Sequence, residues 1–584
     1  MCGIYGFVGR EYREIDFRDE LRKRGPDGDG VFYDENITLG HTRLAILDLE
    51  NASQPMEFDN LVIVFNGEIY NYKELREELK KDGYSFYTNS DTEVLLKGFH
   101  KWGSGVLERL RGMFAFCIYD KKNKKLFLAR DRFGIKPLIY GFFGKRFVFS
   151  SELKPIFKSF LPKKLNYKAL ASYFRYGSIS QPNTILDGFY FLMPGHFMEV
   201  DFNLNYKIKK YYDLVLTTPF EVSSYDEAIK LTRQKLQEAT KYHLVSDVEV
   251  GAFLSGGVDS SVVVGLMREF KKDINTFSVG FSERVGVVDE SEVAKRVAKF
   301  FSTKHHSIKI NSDYVRKIFD EFILSLDMPS IDGINTFIVS KETSKKVKVA
   351  ISGLGGDEIF GGYSHFKFII QKKPFFAKVA KFIHSIKPNR FTNPYKFVGL
   401  DEFESVELQR SVNLEKVLKG KFNFEIFKEQ NLTPLQKITL FEIRNYLLNT
   451  LLRDSDVLSM ANSLELRPVL LDHKLVEFAF WLRDDFKIRD GRMKAVFVDA
   501  IKDLIPKEVY TRKKSGFEMP YVFWMNRVFN KEFLSLLEDK TLEKIFEKNY
   551  LENLKKRVKF KKTQRRDWMM WIFLKYLKHY KVEF

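Results

Sequence analysis

The first two hundred residues alternate short apolar runs with clusters of turn formers. Leu61–Phe65, Phe114–Tyr119, Leu126–Ala129 and Phe147–Ser150 are aliphatic, aromatic or small throughout and are bounded by Gly, Asn and Asp, which predicts buried strands. Lys73–Lys81 and Thr92–Trp102, between them, read as helices. This pattern predicts an α+β domain rich in antiparallel pairing over residues 2–212. After Tyr211 the character changes. Residues 213–223 read as a linker, and Ser224 with Glu227 predicts a capping box at the start of a helix carrying Ile229, Thr232, Leu236 and Ala239 on one face. Strands at Val248–Leu254, Thr276–Phe281 and Val347–Ser352 then alternate with helices at Ser260–Phe270 and Glu292–Phe301. Such alternation predicts a doubly wound α/β parallel sheet within a second unit, residues 224–584, that becomes mostly helical from about residue 364.

A chain of 584 residues exceeds one hydrophobic core, in keeping with at least two domains. Two cysteines, Cys2 and Cys117, exclude a disulfide scaffold and a cysteine-rich zinc site. Cys117 falls inside an apolar run and reads as a core thiol. Trp568–Leu574 is apolar but too short to span a membrane, and Arg10, Glu11, Arg13 and Glu14 interrupt any signal-peptide core. A reduced, cytoplasmic protein is expected. The net charge of +19 is concentrated in residues 364–400 and 552–584. Lysines beside Phe366, Phe375 and Phe382 read as solvated helical faces, and neither nucleic acid nor a membrane is an expected partner. The pair His305-His306 lacks metal-ligand spacing and reads as a helix-to-strand connection.

The chemistry begins at the amino terminus. Removal of Met1 would leave Cys2 with both a thiol and a free α-amine, and an amine titrating near pH 8 can activate the adjacent nucleophile. Further on come Arg24-Gly25-Pro26-Asp27, His41-Thr42-Arg43-Leu44, Phe65-Asn66-Gly67-Glu68, Ser90-Asp91-Thr92-Glu93 and Arg130-Asp131-Arg132-Phe133-Gly134-Ile135-Lys136-Pro137. Together with Cys2-Gly3-Ile4 they resemble the class II glutamine amidotransferases. That resemblance implies an N-terminal-nucleophile α/β/β/α sandwich. Attack on the glutamine amide builds negative charge on oxygen; Asn66 and Gly67 can supply N–H donors to it from a strand-to-turn junction. By resemblance, Arg43, Leu44, Ala45, Ile46, Leu47, Asn66, Gly67, Glu68 and Asp91 bind glutamine. Arg43 suits its carboxylate and Asp91 its ammonium.

The segment Ser255-Gly256-Gly257-Val258-Asp259-Ser260 lies between a predicted strand and helix, where small residues let backbone approach phosphates. It lacks the ending of a Walker loop and resembles the pyrophosphate loop of enzymes that split ATP into AMP and pyrophosphate. Ser352-Gly353-Leu354-Gly355-Gly356-Asp357 supplies a second carboxylate, and Asp259 with Asp357 can hold Mg²⁺ across the phosphates. By resemblance, Leu254, Ser255, Gly256, Gly257, Asp259, Ser260, Val279, Ser352 and Gly353 contact ATP, and Lys514 stabilises developing charge. Leu464-Glu465-Leu466-Arg467-Pro468 and Leu471-Asp472-His473 complete the match.

As a whole the sequence resembles the glutamine-hydrolysing asparagine synthetases, with glutamine, ATP and a carboxylate acceptor as small-molecule partners. It departs from them at Leu354, where a glutamate is common, and within Asp327–Gly333. The family resemblance makes aspartate the expected acceptor, and the departures leave room for another carboxylate, on a sugar polymer or a secondary metabolite, as the alternative. A non-enzymatic regulatory homologue is opposed by the intact Cys2, Asp259 and Asp357. A homodimer is compatible with the sequence and not required by it.

Overall fold

The computed structural model describes residues 2–9, 16–283, 289–370, 399–512 and 519–582, together with 286, 396 and 397. Lys514, most of the basic 364–400 segment, Phe375 and Phe382 lie outside these residues.

Two six-stranded antiparallel sheets stack face to face in the first part of the chain. One runs in the order Phe189–Phe191, Ile139–Phe143, Arg146–Ser150, Cys2–Val8, Ile37–Arg43 and Gly28–Asp34. The other runs Tyr206–Lys210, His196–Asp201, Lys125–Arg130, Gly112–Asp120, Leu61–Ile69 and Met56–Phe58. Ile4, Leu39, Val62, Val64, Ala115, Cys117 and Leu128 share the core between them. The alternate residues Ile63 and Phe65 meet Leu75, Leu79, Leu95 and Leu96 of the Tyr72–Lys81 and Asp91–Trp102 helices. On the far side, Tyr5 and Phe7 meet Leu21, Ile156 and Leu170. Both faces of both sheets are thus covered, which is why the strands read as unbroken apolar runs. This is the α/β/β/α sandwich. Cys117 is fully buried within it, and burial pushes its thiol up.

The second part is built on a five-stranded parallel sheet ordered Lys304–Ile310, Asn275–Phe281, Val250–Phe253, Val349–Ser352 and Glu465–Pro468. Strand order reverses between Val250–Phe253 and Val349–Ser352. Loops leaving the carboxyl ends of strands at such a reversal form the ligand crevice of doubly wound folds. Ser255–Ser260 and Ser352–Asp357 are those two loops. Beyond residue 400 the described chain is mostly helical, and Trp568–Leu574 is the buried heart of the Asp567–Tyr580 helix. Among the described residues no helix is long and apolar enough to cross a membrane.

Two local expectations are corrected. His305 and His306 stand inside the Lys304–Ile310 strand, where their ring nitrogens meet Thr276, Ser278 and Asn275 of the adjoining strand at 2.8–3.0 Å. Two consecutive histidines reverse face in a strand, and hydroxyl and amide partners make that position comfortable. Ser224 does cap its helix by accepting from the Glu227 N–H, but the Glu227 carboxylate reaches one residue too far and closes on Ser223 at 2.5 and 2.8 Å. The reciprocal half of the box is displaced, not lost.

Candidate active sites

Cys2 opens a central strand and is buried. Its amide donates to Asn66 Oδ1 at 3.1 Å, which turns Asn66 Nδ2 the other way. That Nδ2 is buried and has no hydrogen-bond partner among the described residues. Leaving a buried donor unmet costs about 1–3 kcal/mol, a cost an incoming oxyanion would recover. Asn66 and Gly67 are not at a strand-to-turn junction. They lie within Leu61–Ile69, paired with Ala115 and Phe114, and the chain turns only after Ile69. An Asn-Gly pair favours turns locally, yet nine residues of pairing with Gly112–Asp120 override it. Glycine is required at position 67 for another reason. Its φ is +155°, and a Cβ there would lie 2.1 Å from the Met113 carbonyl oxygen.

Around Cys2, a cavity of about 30 Å³ is lined by Arg43, Leu44, Ile46, Leu47, Gly67, Glu68 and Asp91, among others. That is room for about one water, so glutamine must widen it. Arg43 pairs with Cys2 across the sheet and donates to the carbonyls of Leu47, Asp48 and Leu49 at 2.6–3.2 Å, which holds the loop that carries Leu44–Leu47. The Ala45 N–H is instead taken by Asp27 at 2.8 Å. Asp91 begins its helix and accepts from the Ile69 N–H at 2.9 Å; burial pushes its carboxyl up to about 6 against the pull of that bond. Burial also raises the Cys2 thiol, opposed by the Leu44 N–H and Arg43. A thiol held neutral in this way needs a base beside it.

The second site sits at the strand reversal. Ser255, Gly257 and Ser260 bond one another at 3.0–3.3 Å and bring the loop to the first turn of the Val258–Phe270 helix. Leu254 and Val279 line a 190 Å³ apolar cavity with Phe253, Phe277 and Val339. Ser255 and Glu290 connect it to a second cavity of 350 Å³ that holds Ser255, Gly257, Asp259, Ser260, Asp357, Lys494 and Arg512. Ser352 and Gly353 close the neighbouring strand end; Gly353 packs so tightly on the start of the helix that a Cβ would sit 2.8 Å from the Asp259 carbonyl carbon. Gly256 occupies the left-handed region at φ +77°.

Lys494 is the residue that sequence reasoning missed. Its ammonium lies 2.6 Å from both Asp259 and Asp357. Burial works against its charge, and the two carboxylates more than restore it. It occupies the left-handed region at φ +53°, as the residue that opens the Ala495–Asp499 helix. No spacing or neighbouring motif marks it in the sequence. Two aspartates converging on one point are hard oxygen donors of the kind Mg²⁺ takes alongside phosphates. Among the described residues no group of three or more His, Cys, Asp or Glu could hold a metal by itself.

The comparisons with known proteins bear on both sites at once. Residues 1–212 match the family model of a glutamine amidotransferase domain, and residues 231–578 match that of asparagine synthase. The chain belongs to the glutamine-hydrolysing asparagine synthetase family. It is 31% identical over 594 residues to glutamine-hydrolyzing asparagine synthetase 1 of Bacillus subtilis (strain 168), covering 95% of this chain and 92% of that protein. It is 30% identical to glutamine-hydrolyzing asparagine synthetase 3 of the same organism, with 88% and 87% covered. A protein named amidase chry2, from Gibberella zeae, is 26% identical with 90% and 88% covered. The chain is therefore a glutamine-dependent amidotransferase, and its asparagine synthase domain implies the use of ATP.

Family motifs without an obvious chemical task serve the wall between the two sites. Arg24 donates to the Cys2 carbonyl at 3.0 Å and bridges Glu152 and Asp456 at 2.7 and 2.8 Å, while Lys136 reaches Asp456 at 3.2 Å. All four charged groups are almost fully buried, and removing one partner from such a network costs about 3–5 kcal/mol. Of the divergent 327–333 stretch, Asp327 is buried against Arg453, and Ser330 bonds Asp454 at 2.5 Å. Ile331 and Asp332 face a 340 Å³ cavity with Tyr446, Tyr521, Arg565 and Trp568. Asn335 lines both this cavity and the apolar one beside Leu254. Asn445, Tyr446 and Thr450 come from a ten-residue π-helix, Ile443–Leu452. Such helices are rare and frequent at functional sites. Leu354 is half-buried against the core of the parallel-sheet domain.

Proposed function

We propose that the protein hydrolyses glutamine at Cys2 and uses the released ammonia to amidate a carboxylate that ATP has activated, with aspartate as the acceptor and asparagine, AMP and pyrophosphate as products. The α-amine of Cys2 takes the thiol proton, and the thiolate attacks the glutamine amide. Asn66 Nδ2 and the Gly67 N–H meet the oxyanion, Arg43 holds the substrate carboxylate, and Asp91 holds its ammonium. The α-amine returns the proton to the leaving nitrogen, and loss of ammonia leaves a thioester that water cleaves to glutamate. In the second site the adenosine sits against Leu254 and Val279, and the phosphates lie along Ser255–Ser260. Asp259 and Asp357 would hold Mg²⁺, which neutralises phosphate charge as pyrophosphate leaves. Lys494 then has phosphate oxygens within reach in place of the carboxylates it now bridges.

The observation that supports aspartate is that Asp332 and Arg565 line one cavity, one charge for each end of an amino acid. The cavity adjoins the adenosine cavity at Asn335, where an acyl-adenylate would lie. A larger carboxylate is favoured by two other observations: 340 Å³ exceeds what aspartate fills, and Leu354 offers no base for ammonia. Pyrophosphate release dependent on aspartate and glutamine, with asparagine identified by mass, tests the reading. Leu354→Glu discriminates further. With aspartate as acceptor it should change the rate by less than about threefold. If a larger acceptor packs on the leucine, a charge buried in its place costs several kcal/mol of activity.

A further inference from the structure

Two residues of the ATP-using half stand behind Glu68, which lines the cavity around Cys2. Glu465 and Arg467 belong to the Glu465–Pro468 strand at the edge of the parallel sheet, and both are fully buried. Arg467 Nε donates to Glu465 at 2.5 Å, and its Nη1 donates to the carbonyls of His243 and Val245 at 2.7 Å each. With three directions of the guanidinium fixed, Nη2 is aimed across the interface at Glu68, 3.3 Å away. Glu68 lines the cavity around Cys2. The same strand is paired with Val349–Ser352, with Arg467 opposite Ile351 and Pro468 opposite Ser352. One rigid pair of strands therefore joins Glu68 to the loop that carries Gly353 and Asp357.

We propose that Arg467 is a positioning residue of the glutaminase site, contributed by the nucleotide-binding domain: its guanidinium, held on three sides, fixes Glu68 in the wall of the cavity around Cys2. This rests on the reading of Cys2 as the nucleophile. Burial pushes the Glu68 carboxyl up, Glu465 and Asp91 add to it, and Arg467 opposes them. Without Arg467, Glu68 loses the cation that orients its carboxyl, and glutamine meets a wall that is no longer fixed. Glu465 is itself held low by Arg467, against its burial, and takes the Arg467 Nε–H, so it anchors the guanidinium that reaches Glu68.

The test uses the full chain and follows glutamate release from glutamine. Arg467→Met should raise KM at least tenfold with kcat within about threefold, and Arg467→Lys should recover part of the loss. ATP binding measured by calorimetry should stay within about twofold in both. Unchanged KM in Arg467→Met overturns the role. Should Arg467→Met fail to fold, the parent protein supplies the measurement. Alkylation of Cys2 by a diazoketone analogue of glutamine should slow amide hydrogen exchange at 465–468, and unaltered exchange there overturns the link. A parent that releases glutamate equally well as Cys2→Ala would instead discard the nucleophile reading itself.

Discussion

Replacing Cys2 with alanine will abolish glutamine hydrolysis while leaving amide formation from ammonium salts near the parental rate. The argument is geometric. Cys2 lines the cavity beside Asn66, whose Nδ2 is unmet, and its chain amide is the group bonded to Asn66 Oδ1. Once Met1 is removed, that nitrogen becomes the amine that activates the thiol. Removing the nucleophile of such a unit lowers kcat by roughly four orders of magnitude or more. The substitution is small, and the strand around it stays paired with Arg43 and Thr42, so the second site should not sense it. Glutamate release and ammonium-dependent pyrophosphate release, measured on one preparation, check both halves. Residual glutaminase activity would defeat the assignment. A retained Met1 should have the same effect as the alanine, because it places the free amine one residue too early; intact-mass measurement tells the two states apart.

How much of this is legible in the sequence depends on whether the signal is local. Leu61–Phe65 and Phe114–Tyr119 announce strands because both faces are buried, and the Ser255–Ser260 loop announces itself by small residues after an apolar strand. The true extent of the Leu61–Ile69 strand is not local. It depends on partners fifty residues away, so an Asn-Gly pair reads as a turn. The motifs at Arg24 and Arg130–Pro137 are visible as patterns, but their task at the domain wall is not, since Asp456 lies more than three hundred residues from either. Lys494 is the clearest case. A single lysine in a lysine-rich chain carries no pattern, and only the meeting of two distant loops gives it meaning.

The largest effect on the synthetic half should come from the cluster formed by Asp259, Asp357 and Lys494. Asp259→Asn and Asp357→Asn should each lower ATP-dependent pyrophosphate release by about a thousandfold, because several kcal/mol of stabilisation disappear when a carboxylate no longer clamps metal and phosphates. Lys494→Met should lose a similar amount by a different route. It leaves two aspartates about Lys494's former position with no cation between them, and the leaving pyrophosphate with one positive charge fewer. The two kinds of variant separate on a Mg²⁺ titration. An asparagine substitution should shift half-activation to higher Mg²⁺, whereas Lys494→Met should shift it to lower Mg²⁺, since the ammonium no longer competes for the same oxygens. Glycine at 362 makes this arrangement sterically accessible: a Cβ there would lie 2.0 Å from Asp357 Oδ1 and 2.1 Å from Lys494 Cε. Gly362→Ala should therefore mimic the cluster variants in pyrophosphate release while glutamine hydrolysis at Cys2 continues. If any of these variants released pyrophosphate at close to the parental rate, the carboxylate pair would have to be read as structural.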